Sequence, residues 1–416
     1  MDGHATSAGP GPGVGPGAGE APASRRKQGR TPSRSVCRSA GAAVRTIAAV
    51  TAVCGVLWAS SPWWGVFTDR LPSSVAWLLP SAQATWPAGL LLTLAAAAGA
   101  AAAGAVRGGP TTSRSVFPAG HRPVLTGPAF PVLPACAVVV AVAVAVAVCV
   151  AVVVPGMAGR AASAQPGPKA PGDLRILAVN TWYGAASDTV LARTAADMDA
   201  DVVVLPESSG AEAEAVARAT GLHLVQQVST RSRGGGTALL VRSTQLVDGS
   251  VTDLHLTRHQ NPVARLTTGG QGDSGPADAG TVTRATGPVV TVTGVHTNAP
   301  AHSDLVDGWI REMGDLRDFA AVTPGPLVMA GDFNATTAHP EFRRLTKAPG
   351  GDVPGLVDCG GGMFAAPTWP RAGVPVAPVP LLRLDHVLVR GLACAASGVV
   401  GVEGSDHAGV WADLRP

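Results

Sequence analysis

Six apolar runs between residues 174 and 414 begin or end beside side chains suited to one kind of chemistry. "LRILAVN" closes on Asn180, "DVVVLP" is followed by Glu207, and "PVVTVTGVH" closes on His296 with Asn298 just beyond. "PLVMAG" leads into Asp332 and Asn334, Asp385 enters "RLDHVLV", and Asp406 with His407 precede "AGVWADL". Each has a structural explanation when taken alone. An Asn suits a turn, a Glu caps a following helix, and an Asp-His pair sits readily in a surface loop. Together they form a set of carboxylates, amides and imidazoles, which are the donors a hard divalent cation and a phosphate ester need. Magnesium takes one or two carboxylates and keeps several waters. No Cys/His cluster with zinc spacing competes for the role.

The elements that deliver these residues read as short, continuously apolar strands alternating with helices. Strands are expected at 174–180, 201–206, 222–228, 237–243, 262–268, 288–296, 326–331, 383–389 and 408–414. Helices fit 187–199, 210–219, 303–321 and 340–347, the last with Pro340 in its first turn. Strands apolar on both faces belong to sheets covered on both sides, so packed sheets flanked by helices are expected over 173–416. The Gly/Asp/Ala-rich stretch 269–286 reads as a solvent loop. His386 alternates with Asp385 and is expected on the opposite face, outside the site.

In this order, "LAVNTW", "DVVVLPE", "GVHTNAP", "MAGDFNATTAHPEF", "LRLDHVLV" and "GSDHAGVWADL" resemble the endonuclease/exonuclease/phosphatase superfamily over about residues 173–416. "GDFN" and "SDH" are the specific elements of the resemblance. It implies an α/β fold, a four-layer sandwich of two packed mixed β-sheets flanked by helices. It also implies a metal-dependent phosphoric ester hydrolase using Mg²⁺ or Mn²⁺. By the same resemblance Asn180 and Glu207 hold the metal, with Asp406 in its neighbourhood. Asp332 orients or deprotonates the attacking water, and Asn334 steadies the phosphoryl oxygens. His407 faces the scissile phosphate with Asp385 orienting it, and His296 is a second phosphate-facing histidine. One departure concerns His296. The stretch "STRSRGGGTALLV" carries no acid where secreted deoxyribonucleases support that histidine, so a general-acid role for His296 is not carried over. Arg231 and Arg233 in that stretch are either phosphate binders or plain surface residues.

The first 172 residues differ in texture. Residues 1–41 are rich in Gly, Pro, Ala, Ser and Arg without apolar periodicity and read as a disordered basic tail. Three apolar stretches follow within 42–154, at about 46–64, 86–106 and 134–154. Each approaches the roughly 20 residues needed to cross a bilayer, and the lack of charge favours spans over core helices of a soluble protein. The Arg-rich tail and the Arg107, Arg114 and Arg122 loop are then cytoplasmic, and tryptophans flank the intervening loop. Three spans place the remainder outside the cytoplasm, beyond a Pro/Gly/Ala linker at 155–172. This layout is similar to the membrane-bound subgroup that includes teicoplanin and vancomycin resistance phosphatases. Of the six cysteines, only Cys359 and Cys394 lie in the outer part, where an oxidising exterior permits a disulfide.

Charge bears on the substrate. The chain carries 31 Lys+Arg against 28 Asp+Glu, a net +3. Residues 173–416 hold 18 Lys+Arg and 25 Asp+Glu, hence −7 (18 − 25), so the positive excess lies in the tail, loops and linker. A duplex-binding surface normally shows a basic patch, and none with interleaved aromatics appears here. The expected function is a membrane-anchored, extracytoplasmic phosphatase or phosphodiesterase, with lipid-linked phosphate among its candidate substrates. An extracellular Mg²⁺-dependent nuclease and a non-catalytic membrane scaffold or receptor are the alternatives.

Overall fold

The computed structural model describes residues 34–63, 75–105, 166–228, 236–247, 252–254, 256–268, 287–350, 353–360, 365–371 and 380–416. The apolar stretch at 134–154, the 269–286 loop, and Arg231 and Arg233 lie outside the described residues.

The N-terminal part contains helices α1 (Arg34–Ser60), α2 (Leu78–Ala84) and α3 (Trp86–Ala105). α1 begins at Arg34, inside the stretch read as disordered tail, where Arg, Ser and Ala residues around Gly41 lead into the apolar helix. Among the described residues one helix is long and apolar enough to cross a membrane, over Thr46–Trp63, and a shorter apolar helix covers Trp86–Ala100. α1 and α3 run antiparallel and touch where a Cβ at Gly55 would strike Thr93 and one at Gly89 would strike Trp58. Small residues let two apolar helices approach this closely. The Trp58 indole N–H also donates to Thr85 Oγ1 at 3.2 Å.

From residue 166 the chain forms two six-stranded mixed sheets. The first has strands β1 (Leu174–Ala178), β2 (Val202–Ser208), β3 (His223–Leu224), β4 (Gly236–Val241), β11 (Ala393–Gly401) and β12 (Ala408–Arg415), in the order β11-β12-β1-β2-β4-β3. The second has β5 (Thr252–Asp253), β6 (Pro262–Thr267), β7 (Val289–His296), β8 (Leu327–Asp332), β9 (Val357–Asp358) and β10 (Asp385–Arg390), in the order β5-β6-β7-β8-β10-β9. Helices α4 (Asp188–Asp197) and α5 (Gly210–Thr220) cover the first sheet, and α6 (Ser303–Val322) and α7 (Pro340–Thr346) cover the second.

The layers follow from side-chain alternation. Leu174, Ile176, Ala178, Val202 and Val204 meet Val290, Val292, Val328, Ala330, Val387 and Val389 in the core between the sheets. The alternate residues Leu177, Val203 and Leu205 pack on Leu191, Ala195, Ala213 and Val216 of α4 and α5. Leu327, Met329 and Leu388 pack on Trp309, Met313, Leu316 and Phe342 under α6 and α7. With both faces covered, each run is apolar throughout, which is why the sequence shows unbroken runs.

Three short or plain strands were not expected. β5 and β9 are two residues each, and β11 is an Ala/Gly/Ser segment mostly facing solvent, so none carries a periodic apolar signal. β11 exists because β12 pairs with it along its length. The last residues of the stretch read as a linker touch the domain. Gly167 O accepts from Arg175 at 2.9 Å and the Lys169 ammonium lies 2.6 Å from Asp201, so its end is fastened to the domain. Cys359 and Cys394 are disulfide-bonded.

The N-terminal hairpin rests on the sandwich. Ser61, Pro62, Leu79, Pro80 and Gln83, in and beside the connection between α1 and α3, are buried. Pro62 O accepts from the Arg343 guanidinium, and Pro80 O lies 3.0 Å from His339 Nε2. His339 Nδ1 accepts the Thr336 amide at 2.8 Å, so the ring proton sits on Nε2 and is donated to Pro80.

Candidate active site

The ends of β1, β2, β7 and β8 and the starts of β10 and β12 lie at one edge of the sandwich. Continuing the inward set 174, 176, 178 along β1 brings in Asn180. On β8 the set 328, 330 reaches Asp332, on β7 the set 290, 292, 294 reaches His296, and on β10 Asp385 precedes 387 and 389. Alternation therefore aims these four side chains into the gap between the sheets. Glu207 has the opposite parity to Val202 and Val204. The register shifts between Pro206 and Ser208 and Glu207 takes a left-handed φ of 61°, which turns its carboxylate toward the same gap. Gly331, at φ 140°, is required because a Cβ there would strike the β7 backbone at Val295. The tight β7–β8 pairing this permits sets His296 beside Asp332 in register.

Asn180 links the two carboxylates: its amide donates to Glu207 Oε1 at 3.1 Å and Asp332 Oδ2 at 3.0 Å. Its Oδ1 accepts the Trp182 amide at 2.9 Å. As oriented, Asn180 spaces the carboxylates and offers a cation only its remaining Oδ1 lone pair. Asp332 Oδ1 accepts the Asn334 backbone amide at 2.8 Å, in a turn where Asn334 has φ 45°. The Asn334 side chain gives one amide hydrogen to Thr297 O at 2.9 Å, which leaves the other for a ligand.

His407 Nδ1 is 2.8 Å from Asp385 Oδ2, and its Nε2 is 3.9 Å from Asp332 Oδ2. The His407 backbone is held by Ser405, whose hydroxyl accepts the His407 amide at 2.9 Å and donates to Asn180 O at 2.6 Å. Ser405 thereby joins the histidine loop to the β1 end, and "GSDH" signals only the pair that follows it. His296 lies 3.7 Å from Glu207 through Nε2, and its ring stacks on His259 at 3.9 Å between centroids. His259 escaped the sequence reading because "LTRHQN" has no strand periodicity. The loop is aligned by Asn261, whose Oδ1 accepts the His296 amide at 2.7 Å.

Two groups of potential ligands result, Glu207 with His296 and Asp332, and Asp332 with Asp385 and His407, each with its ligand atoms within 4.8 Å of one another. Asp406 joins neither; its Oδ2 accepts the Trp369 indole N–H at 3.2 Å. His386 faces away, bonded to Asp358 and to Ala335 O at 2.9 Å each.

Electrostatics separate the roles. Burial raises the Glu207 carboxyl. Burial and then the Asp385 charge push Asp332 up to about 7. His407 is raised to about 10: burial opposes its charge, but Asp385 and Asp332 outweigh it. His296 is held well below the usual imidazole range by burial, then by His259 and His407. Asp385 Oδ1 is buried without a hydrogen-bond partner among the described residues. Crowded, desolvated carboxylates with an orphaned oxygen carry more negative charge than one imidazolium offsets. That surplus fits a divalent cation.

A family model and several solved structures are similar to this chain. The model of the "Endonuclease/Exonuclease/phosphatase family" matches residues 177–407. No curated protein matches the chain. Among solved structures, a humanized TDP2 of D. rerio is 16% identical with a TM-score of 0.43, covering 59% of this chain and 100% of that one. A mannosyl-6-phosphatase of Bacteroides thetaiotaomicron is 14% identical with a TM-score of 0.41, covering 58% and 99%. A functionally unknown conserved protein of Enterococcus faecalis is 15% identical with a TM-score of 0.42, covering 58% and 99%.

Proposed function

The chain belongs to the endonuclease/exonuclease/phosphatase family, and on that premise we propose that it hydrolyses phosphate esters at the outer face of a membrane. It is a metal-dependent phosphoric ester hydrolase. The observation that carries the reading is Asp332, shared between a carboxylate group able to hold a cation and a histidine held charged by Asp385.

Glu207 and Asp332, spaced by Asn180, are the residues that would hold Mg²⁺ or Mn²⁺, with Asp406 close enough to act on Glu207 electrostatically. When bound, such a cation offsets phosphoryl charge and makes a water more acidic. Asp332, at the centre of the site between Asn180 and His407, is placed to accept the proton of an attacking water. His407 stays an imidazolium and sets its positive charge against the phosphoryl oxygens. Asp385 fixes its tautomer and orientation. Asn334 supplies its second amide hydrogen to the phosphate. Neutral, buried His296 acts as a hydrogen-bonding wall, not as an acid.

Membrane placement is supported by the hairpin contact. The sandwich hydrogen-bonds to carbonyls of Pro62 and Pro80, in the connection between α1 and α3. If both helices cross, that connection lies opposite the Arg-rich tail, and the sandwich lies with it. A chain leaving α3 on the tail side needs one more crossing before residue 166, and 134–154 supplies the apolar length. The domain plan is therefore a basic cytoplasmic tail over 1–41, spans within 42–154, a linker over 155–172 and the catalytic sandwich over 173–416. A lipid-linked phosphate would be within reach of a site anchored this way, and the −7 charge of the sandwich disfavours duplex DNA.

The test uses full-length protein in detergent with Mg²⁺ or a chelator, against an aryl phosphodiester, a polyprenyl diphosphate and plasmid DNA. Asp332→Ala and His407→Ala are each expected to lower turnover by about 10² or more. Wild-type rates in both would refute the reading, and cleavage of plasmid alone would replace it with a nuclease.

A further inference from the structure

The turn that follows Asn180 holds two aromatic side chains in a conformation that aromatic residues seldom adopt. Trp182 and Tyr183 have φ of 52° and 54°, and Gly184 continues at 77°. A left-handed backbone costs an L-residue about 1–2 kcal/mol, and Gly or Asn is its usual occupant. Two bulky residues here raise the question of what their side chains do.

The turn is built on the site itself. The Trp182 amide donates to Asn180 Oδ1 at 2.9 Å and the Tyr183 amide to Glu207 Oε2 at 3.2 Å. Thr181 closes it from below, accepting Gly184 N through its hydroxyl at 3.3 Å and Ala186 N through its carbonyl at 3.0 Å. The flanking Thr181 and Ala186 are fully buried, while Trp182 is 41% and Tyr183 65% exposed. Both exposed rings therefore stand on a turn whose backbone is bonded directly to Asn180 and Glu207.

We propose that Trp182 and Tyr183 form a specificity-determining lip that receives the organic part of the substrate, an apolar or ring-bearing alcohol esterified to the phosphate. The inference rests on the phosphate-ester reading above and adds the substrate class. Residues whose amides bond the side chains that would hold the cation cannot be far from the ester oxygen, so what covers them is the other half of the same molecule. Aromatic faces suit planar groups by stacking and alkyl or prenyl chains by burial. A small polar alcohol such as glycerol would gain little from them. Their strain persists because the Asn180 and Glu207 oxygens over-determine the turn, and it places two apolar faces where solvent would otherwise meet the ester.

The experiment uses full-length protein in detergent micelles with Mg²⁺. The substrates are phenyl, short prenyl and glycerol phosphates, each as monoester and as methyl diester. Trp182→Gly and Tyr183→Asn remove the rings while retaining residues that accept the left-handed backbone, so the turn and the fold should survive. The ratio of kcat/KM for the phenyl or prenyl ester to that for the glycerol ester is expected to fall about tenfold, chiefly through KM. A loss confined to the phenyl esters identifies a planar group, and one confined to the prenyl esters identifies a lipid chain. An unchanged ratio, with Asp332→Ala inactive on all esters, overturns the lip and leaves the hydrolase standing. Wild-type protein that hydrolyses none of them overturns both.

Discussion

Replacing Asp385 with Asn separates charge from shape at the centre of the site. Asn is nearly isosteric and can still accept from His407 Nδ1, so orientation is kept while the negative charge goes. In the native protein His407 is raised from 6.5 to about 10. At 1.36 kcal/mol per pH unit, that is roughly 5 kcal/mol in favour of the imidazolium. Asp385 touches the ring at 2.8 Å and Asp332 lies at 3.9 Å, so the closer, hydrogen-bonded carboxylate supplies more than half. Removing it should lower the pKa of His407 by roughly two units or more, because burial then acts with less opposition. The assay is kcat against pH from 6 to 9.5 with saturating Mg²⁺. Native activity should hold to about pH 9, whereas Asp385→Asn should decline from about pH 8, be lower by about tenfold at pH 9 and recover partly at pH 6.5. The sign for stability is the same. A histidine raised in the folded state stabilises fully below its unfolded value near 6.5, and that contribution is lost as pH rises through about 10. Identical pH profiles, or a loss uniform at every pH, would refute the assignment of His407 as a charge held by Asp385.

Other expectations can be checked on the same protein. Asp332, raised to about 7, makes the cation-free protein less stable as pH climbs from about 4 to 7, so Mg²⁺ should raise Tm more at pH 8 than at pH 5. His339, lowered to about 4 by burial, favours folding when neutral. Its contribution should disappear as pH falls from about 6.5 to 4, and His339→Ala should speed hydrogen exchange in residues 75–85. Replacing Cys359 and Cys394 with Ser opens a 35-residue loop and should cost about 3–4 kcal/mol, read as a lower denaturant midpoint.

The apolar runs and their polar ends were legible in the sequence because strand alternation is local. Once 174, 176 and 178 face inward, Asn180 must follow, and the same parity delivers His296, Asp332 and Asp385 and turns His386 away. Glu207 was recognised by resemblance, yet its direction depends on a bulge and a left-handed φ that no periodicity encodes. The hairpin's seat on His339 and Arg343, the Ser405 bridge between β1 and the His407 loop, and the stack of His259 on His296 join residues far apart in the chain. Sequence determined which side chains point into the gap, since that needs only backbone geometry over a few residues. Tertiary structure decided which of them meet and which proton each holds, since distance and burial set those interactions and neither is a property of a local stretch of chain.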